Sequence, residues 1–414
     1  TLVAPKFNLD EVRVPSTIRQ PAGPDYPFHV GRFHITTAQF AAFLNDALAN
    51  PGHPRGQYMF FHTPTGDVFI NAVTTGESGV ELDGRTVKMF SPSAAGQIRL
   101  LNGQYEVVTA PVDYSSHPVT GVSWYGAVKF CNWLTLDQGM LPRDHGYTKD
   151  TDPTRWRPVT IGAADWLTRD LNDGERQDLV EKYRGYRLPM DDGYNNPTPT
   201  LDSADAYNEW YKAAAWNDAL RQNTLFGFGR GTLTGADANF RCSGDGFEDV
   251  ANCLSGGTTP VGYYDGSVKA GSFATGPNAN TFGLFDMTGN VHQWLQGRYA
   301  PPNTIDRHTL RGGSWNDPVN APSLRTASRT LFAAPATTSN QLGFRVVRTP
   351  APPTADFDAD GNVDLRDFAP LSACPTGPGG AASALCTGFD FDHDTDVDLR
   401  DLSSFMNLFM TSSP

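Results

Sequence analysis

The stretch from Phe282 to Arg348 constrains the fold more than any other part of the chain. It carries F-G-L-F-D-M-T-G-N-V-H-Q-W (282–294), L-R-G-G-S-W (310–315), S-R-T (328–330) and L-G-F-R-V-V-R (342–348). Glycine allows close backbone approach and aromatic rings fill the space beside it, so short Gly-punctuated, Trp-anchored blocks predict a loop-rich domain and not a helical bundle. The 41 Gly and 31 Pro among 414 residues agree, being well above the roughly 12% of an average chain.

Upstream, Thr36 to Ala49 predicts a helix capped by Thr36 or Thr37, with Phe40, Phe43, Leu44 and Leu48 on one face and Asn50-Pro51-Gly52 as its stop. From Gln57 to Tyr114 the period falls to two, broken by Thr-Gly, Asp-Gly and Asn-Gly pairs, which reads as a meander of short antiparallel strands. Ser123 to Leu136 predicts a second helix, and residues 137–185 read as a polar excursion.

These blocks, with H-P-V-T-G-V-S-W-Y-G-A-V-K-F-C-N-W-L (117–134), Y-R-L-P (186–189) and E-W-Y-K-A-A-A-W (209–216), resemble the formylglycine-generating enzyme, or sulfatase-modifying factor, family over roughly residues 28 to 348. The resemblance implies an α+β, loop-rich, C-type lectin-like domain over 1–349, here with a strand-rich insertion at 53–115 and a loop insertion at 190–205. It also implies a structural calcium in the loop before the family's Trp. On this chain the site maps to the side chain of Asp286, the carbonyls of Gly289 and Val291, and the side chain of Gln293, where the family carries Glu.

Residues 350–355 form a short Pro-rich linker, and beyond it the composition changes. Residues 354–414 hold eleven Asp and two Arg with no Glu or Lys, a local charge of −9 that leaves only −4 for the rest of the −13 total. D-F-D-A-D-G-N-V-D-L-R-D-F (356–368) recurs as D-F-D-H-D-T-D-V-D-L-R-D-L (390–402), identical at nine of thirteen positions. Carboxylates at positions 1, 3, 5, 9 and 12 with a carbonyl at 7 are how a twelve-residue loop wraps calcium in oxygen ligands. The first set is Asp356, Asp358, Asp360, the carbonyl of Asn362, Asp364 and Asp367. The second is Asp390, Asp392, Asp394, the carbonyl of Asp396, Asp398 and Asp401, with Thr395 where the turn prefers glycine. Apolar residues at helical spacing after each loop predict a small all-α calcium-loop domain over 356–414. It looks like a dockerin, a relative of the EF-hand that plugs into a protein partner.

Cys242 with Cys253 and Cys374 with Cys386 each bracket a short loop and are expected as disulfides, whereas Cys131 sits between Phe130 and Trp133 on an apolar helix. With no membrane-spanning run and no Met at position 1, a processed bacterial chain, secreted or at the cell surface, is expected. No basic face offers itself to nucleic acid.

The resemblance brings an enzymatic question. Formylglycine-generating oxidases hold copper through two cysteines between the Gly-Gly-Ser and Gly-Phe-Arg blocks, and Trp315 to Leu342 contains none. Iron-dependent relatives need histidines a helical turn apart; of the nine here, only His29 and His34 lie within five residues of each other. The reading is therefore a non-catalytic, calcium-dependent structural protein. Its tail docks onto a protein partner, which includes a neighbouring copy in an extracellular filament or tube. The alternatives are a lectin-like receptor or adhesin binding glycan or protein, and a divergent metal-dependent oxidase.

Overall fold

The computed structural model describes the chain apart from residues 1–8, 16–23, 25, 71–80, 83–84, 150–151, 192–206, 218, 249–252, 254–255, 300–306, 330, 351–363, 378–379, 381–385, 387–388, 391–395 and 413–414. It is a mixed α+β structure of many short elements in two units, the larger holding most of the chain up to Thr349 and the smaller holding Pro350–Pro414 together with Pro15–Arg19 and Asp25–Phe28.

The larger unit is closed by its own ends. Phe28–Gly31 lies between Glu11–Val14 and Val347–Arg348, with Val347 opposite Val30 and Arg348 opposite His29. Arg348 adds a bidentate pair to Glu11, its Nε and Nη2 donating at 3.0 and 2.8 Å. Beside this edge runs a four-stranded sheet in the order Leu331–Ala333, Arg307–Arg311, His292–Tyr299, Leu342–Gly343. Its last pairing is parallel, Gln293 meeting Gly343, so the first and last motif blocks become neighbours across fifty residues of chain.

Two helices supply the core. Thr37–Ala49 starts at Thr36, whose hydroxyl accepts from the Gln39 amide while the Gln39 side chain accepts from Thr36. Trp124–Asp137 starts at Ser123, whose Oγ accepts from Gly126. Phe40, Phe43, Phe130, Trp133 and Phe344 pack between them with ring centroids 5.1–6.2 Å apart. Cys131 is buried and free. Trp124 and Trp294 tie helix to sheet reciprocally, donating to the carbonyls of Leu295 and Val122 at 3.2 and 2.9 Å.

The strand-rich stretch is not one meander. Met59–Phe61, Val68–Ile70 and Lys88–Phe90 make one sheet, while Glu81–Leu82 with Arg85–Thr86 and Ile98–Leu101 with Gln104–Val107 are separate hairpins. Asn102 and Gly103, both at positive φ, turn the last of these as their sequence demands. The polar excursion is also more ordered than its composition foretold. It holds the helix Asp173–Lys182, set by a capping box between Asn172 and Glu175 and burying Arg176, Leu179 and Val180. Met190 and Asp191, read with the loop insertion, are buried in the body. The rest of that insertion lies outside the described residues.

Both disulfides form, Cys242–Cys253 and Cys374–Cys386, with Cα separations of 5.0 and 5.5 Å. In the smaller unit, Leu365–Ser372 and Leu399–Ser412 are helices around Leu371, Cys374, Phe389, Val397 and Phe405.

Phe130 is fully buried among four aromatic rings. Phe130→Ala should cost about 3–5 kcal/mol through lost transfer energy and the cavity left behind, read as a lowered denaturation midpoint by near-UV circular dichroism.

Candidate functional site

The motif blocks converge on a buried polar centre. Arg345 is fully buried and uses its whole guanidinium: Nε donates to Gln293 Oε1 at 2.8 Å, Nη1 to the Gly31 carbonyl at 2.8 Å, and Nη2 to the Phe285 carbonyl at 2.9 Å. Gln293 Oε1 accepts a second donor, Trp210 Nε1 at 2.9 Å, and its amide donates to the Asp286 carbonyl at 3.3 Å. The carbonyl oxygen of Gln293 is therefore engaged twice, and would serve a cation only by giving up one of these bonds.

Asp286 is buried at φ 57° with Oδ2 accepting from the Gly262 amide at 2.8 Å. Burial pushes its carboxyl up to about 6, while that hydrogen bond and the nearby Arg345 charge pull the other way. Gly289 stands at φ 81°, where a Cβ would lie 2.3 Å from the Asn239 carbonyl, so the turn admits no side chain. Next to it Asn290, also at positive φ, pairs its amide with both backbone groups of Thr259, at 3.1 and 3.2 Å.

Two further buried ion sets brace this centre. Arg187 pairs with Glu209, its Nη2 to Oε1 distance being 2.6 Å, and also reaches Thr349 Oγ1 at 3.0 Å. Asp191 accepts from Arg311 at 2.9 and 2.6 Å and from Arg329 at 3.0 Å. Sequence reasoning did not find Asp191, because it stands at the mouth of a polar loop. The signal was there in the paired arginines of the L-R-G-G-S-W and S-R-T blocks, which need a buried anion.

Between the Gly-Gly-Ser and Gly-Phe-Arg blocks, His292 Nε2 lies 3.2 Å from Asp317 Oδ2. The same oxygen accepts from the Ser314 amide and from Ser323 Oγ, both at 2.9 Å. Ser314 Oγ donates to Gln341 at 3.2 Å, so this is not a serine–histidine–aspartate relay. His308, the other histidine considered, stacks on Trp124 at 4.0 Å.

In the smaller unit, Asp364, Asp367, Asp390, Asp396, Asp398 and Asp401 are described, whereas Asp356, Asp358, Asp360, Asn362, Asp392 and Asp394 lie outside the described residues. Carboxylate oxygens of Asp396, Asp398 and Asp401 lie within 4.8 Å of one another. Sequence reasoning assigned Asp396 only a carbonyl; the structure brings its side chain into the group. The two copies close alike. The Asp364 amide donates to Asp367 Oδ2 at 2.8 Å and the Asp398 amide to Asp401 Oδ2 at 2.8 Å, while the amides of Arg366 and Arg400 donate to Asp364 and Asp398 at 2.7 Å.

Residues 24–350 match the sulfatase-modifying factor enzyme 1-like domain. The chain belongs to that family. It is 26% identical over 246 residues to a chaperone protein LppX of Paenibacillus barcinonensis, covering 56% of this chain and 70% of the relative. It is 34% identical over 83 residues to an inactive C-alpha-formylglycine-generating enzyme 2 of Mus musculus, covering 20% of this chain and 27% of that one. The chain thus spans about a quarter of the inactive enzyme. Among solved structures, CarF aligns over 83% of this chain and 99% of its own at 22% identity and TM-score 0.47. Treponema denticola variable protein 1 aligns over 82% and 95% at 17% identity and TM-score 0.41.

The donor set does not fit the copper of the family's oxidases. Four of the five cysteines are in disulfides and the fifth is buried within a helix, where burial pushes its thiol up, so no thiolate pair is available to a soft metal. The interval between the Gly-Gly-Ser and Gly-Phe-Arg blocks offers Asp317 and Ser323 instead, with His292 against Asp317.

Gln293→Leu removes the acceptor of two buried donors, one of them cationic. A loss of about 3–5 kcal/mol is expected in chemical denaturation. Gln293→Glu, which restores an acceptor and adds a counter-charge for Arg345, should retain the fold.

Proposed function

We propose that the protein is a secreted, non-catalytic assembly protein in which a C-type lectin-like body is a rigid scaffold and a dockerin-like tail, folded around calcium, connects it to a protein partner. The observation that carries the reading is the convergence of Asp396, Asp398 and Asp401 in a segment that duplicates 356–368. Asp401 and its counterpart Asp367 are fully buried. Carboxylates this close repel unless a cation lies among them, and calcium accepts six to eight oxygen ligands in flexible geometry. Asp390, Asp392 and Asp394 supply the rest of one shell; Asp356, Asp358, Asp360, Asn362, Asp364 and Asp367 form the other. In the body, a further calcium would rest on Asp286 and the carbonyls of Gly289 and Val291.

The helices after the loops also offer an apolar surface. Leu399 is 79% exposed and Phe368 37%, and with Leu371, Pro375, Val397 and Leu402 they border a hollow of about 360 Å³. An exposed apolar patch on an otherwise strongly acidic unit marks a place where another protein sits. Relatives named as inactive enzymes and as a chaperone accord with a scaffold that engages proteins without turning over a substrate. When the partner is another copy of the chain, head-to-tail contact that does not close gives a filament or tube.

Light scattering in millimolar calcium should show large assemblies that fall apart on chelation; a monomer under both conditions would remove self-assembly. Asp358→Ala with Asp392→Ala should abolish tight calcium binding by the tail and unfold it while leaving the body's denaturation midpoint unchanged. Undiminished calcium stoichiometry by calorimetry would contradict the assignment.

A further inference from the structure

The two disulfides stand in unlike surroundings. Both half-cystines of Cys242–Cys253 lie in the left-handed region, Cys242 at φ 65° and Cys253 at φ 42°, which residues with a Cβ enter only where the structure around them holds them there. Cys242 is exposed and Cys253 half-buried. By contrast Cys374 is 9% exposed, and Cys386 packs against the apolar core of the smaller unit. The loop that Cys242–Cys253 closes is bonded largely within itself. Buried Asp245 accepts from Ser243 Oγ at 3.1 Å and from the Phe247 amide at 2.8 Å, and Glu248 accepts from the amides of Ser243 and Gly244 at 3.0 and 2.7 Å. Two side-chain contacts join this preformed loop to the body. Tyr264 donates its hydroxyl to Asp245 at 2.8 Å, and the Phe247 ring sits edge-on to His117 and Tyr263 with centroids 5.1 and 5.5 Å away.

We infer that Cys242–Cys253 is a redox-sensitive clasp: an external dithiol opens it in the folded protein, and the loop then swings off His117 and Tyr263. Disulfides that are exposed, or that hold strained backbone, are the reducible ones, and this cystine is both. Access favours attack at the exposed Cys242 sulfur. A reductant thiolate forms a mixed disulfide there and Cys253 leaves as a thiolate; the reductant's second thiol then displaces Cys242. Two electrons and two protons pass to the chain, which ends with two thiols, while the reductant ends as a disulfide. Opening relieves the left-handed backbone at both positions. The change falls beside the site described above, since Arg241, adjacent to Cys242, donates its amide to the Asp317 carbonyl at 2.9 Å.

The test treats the full chain, in millimolar calcium and without denaturant, with graded dithiothreitol, traps free thiols with iodoacetamide and locates them by peptide mass spectrometry. Cys242 and Cys253 should be labelled at roughly tenfold lower dithiothreitol than Cys374 and Cys386, with the far-UV circular dichroism unchanged. Labelling of Cys242 and Cys253 only after guanidinium is added, or at the same dithiothreitol concentration as the other pair, would overturn the clasp. Movement of the loop is read separately by brief chymotrypsin digestion, which should cut after Phe247 in the trapped protein and not in the oxidised one. Cys242→Ser with Cys253→Ser should show that cut without reductant; resistance of this folded variant would overturn the release of the loop.

Discussion

The body of this protein depends on one buried guanidinium. Arg345 reaches the carbonyls of Gly31, Arg32, Phe285 and Asp286 and the side chain of Gln293, so a single cation gathers the N-terminal strand, the Asp286 turn and the central sheet. A fully buried arginine is tolerated only when its donors are matched, and this one is matched mostly by backbone carbonyls of loops and strand ends. Loop-rich folds have few ladders in which to place such carbonyls. Here the side chains of Arg345, Gln293, Asn290 and Trp210 take over part of that work.

The same matching of buried charge recurs elsewhere in the body. Arg187 pairs with Glu209, and Asp191 lies between Arg311 and Arg329, all of them buried.

The smaller unit works by a different principle. Among the described residues its apolar core is slight, Leu371, Phe389, Val397 and Phe405 beside the Cys374–Cys386 disulfide. Closing a loop of about a dozen residues contributes roughly 3 kcal/mol in the chain-entropy treatment. Its two loops end in matched hydrogen bonds that set each aspartate pair and start each helix.

Much of this was legible in the chain itself. Thr36 marked the start of the first core helix because a cap is a local hydrogen bond. The disulfides followed from short brackets, and the duplicated aspartate loops from identity in register. The helix Asp173–Lys182 was missed for want of an apolar stripe, although its Asn172 and Glu175 box was local and readable. What the sequence could not decide was convergence. Which carbonyls Arg345 would collect, and that Asp191 would sit between two arginines, both depend on segments tens to hundreds of residues apart. Local chemistry fixes caps, turns and short loops; only the closed tertiary structure assigns partners to buried charges, because their energy comes from neighbours that the chain order does not specify.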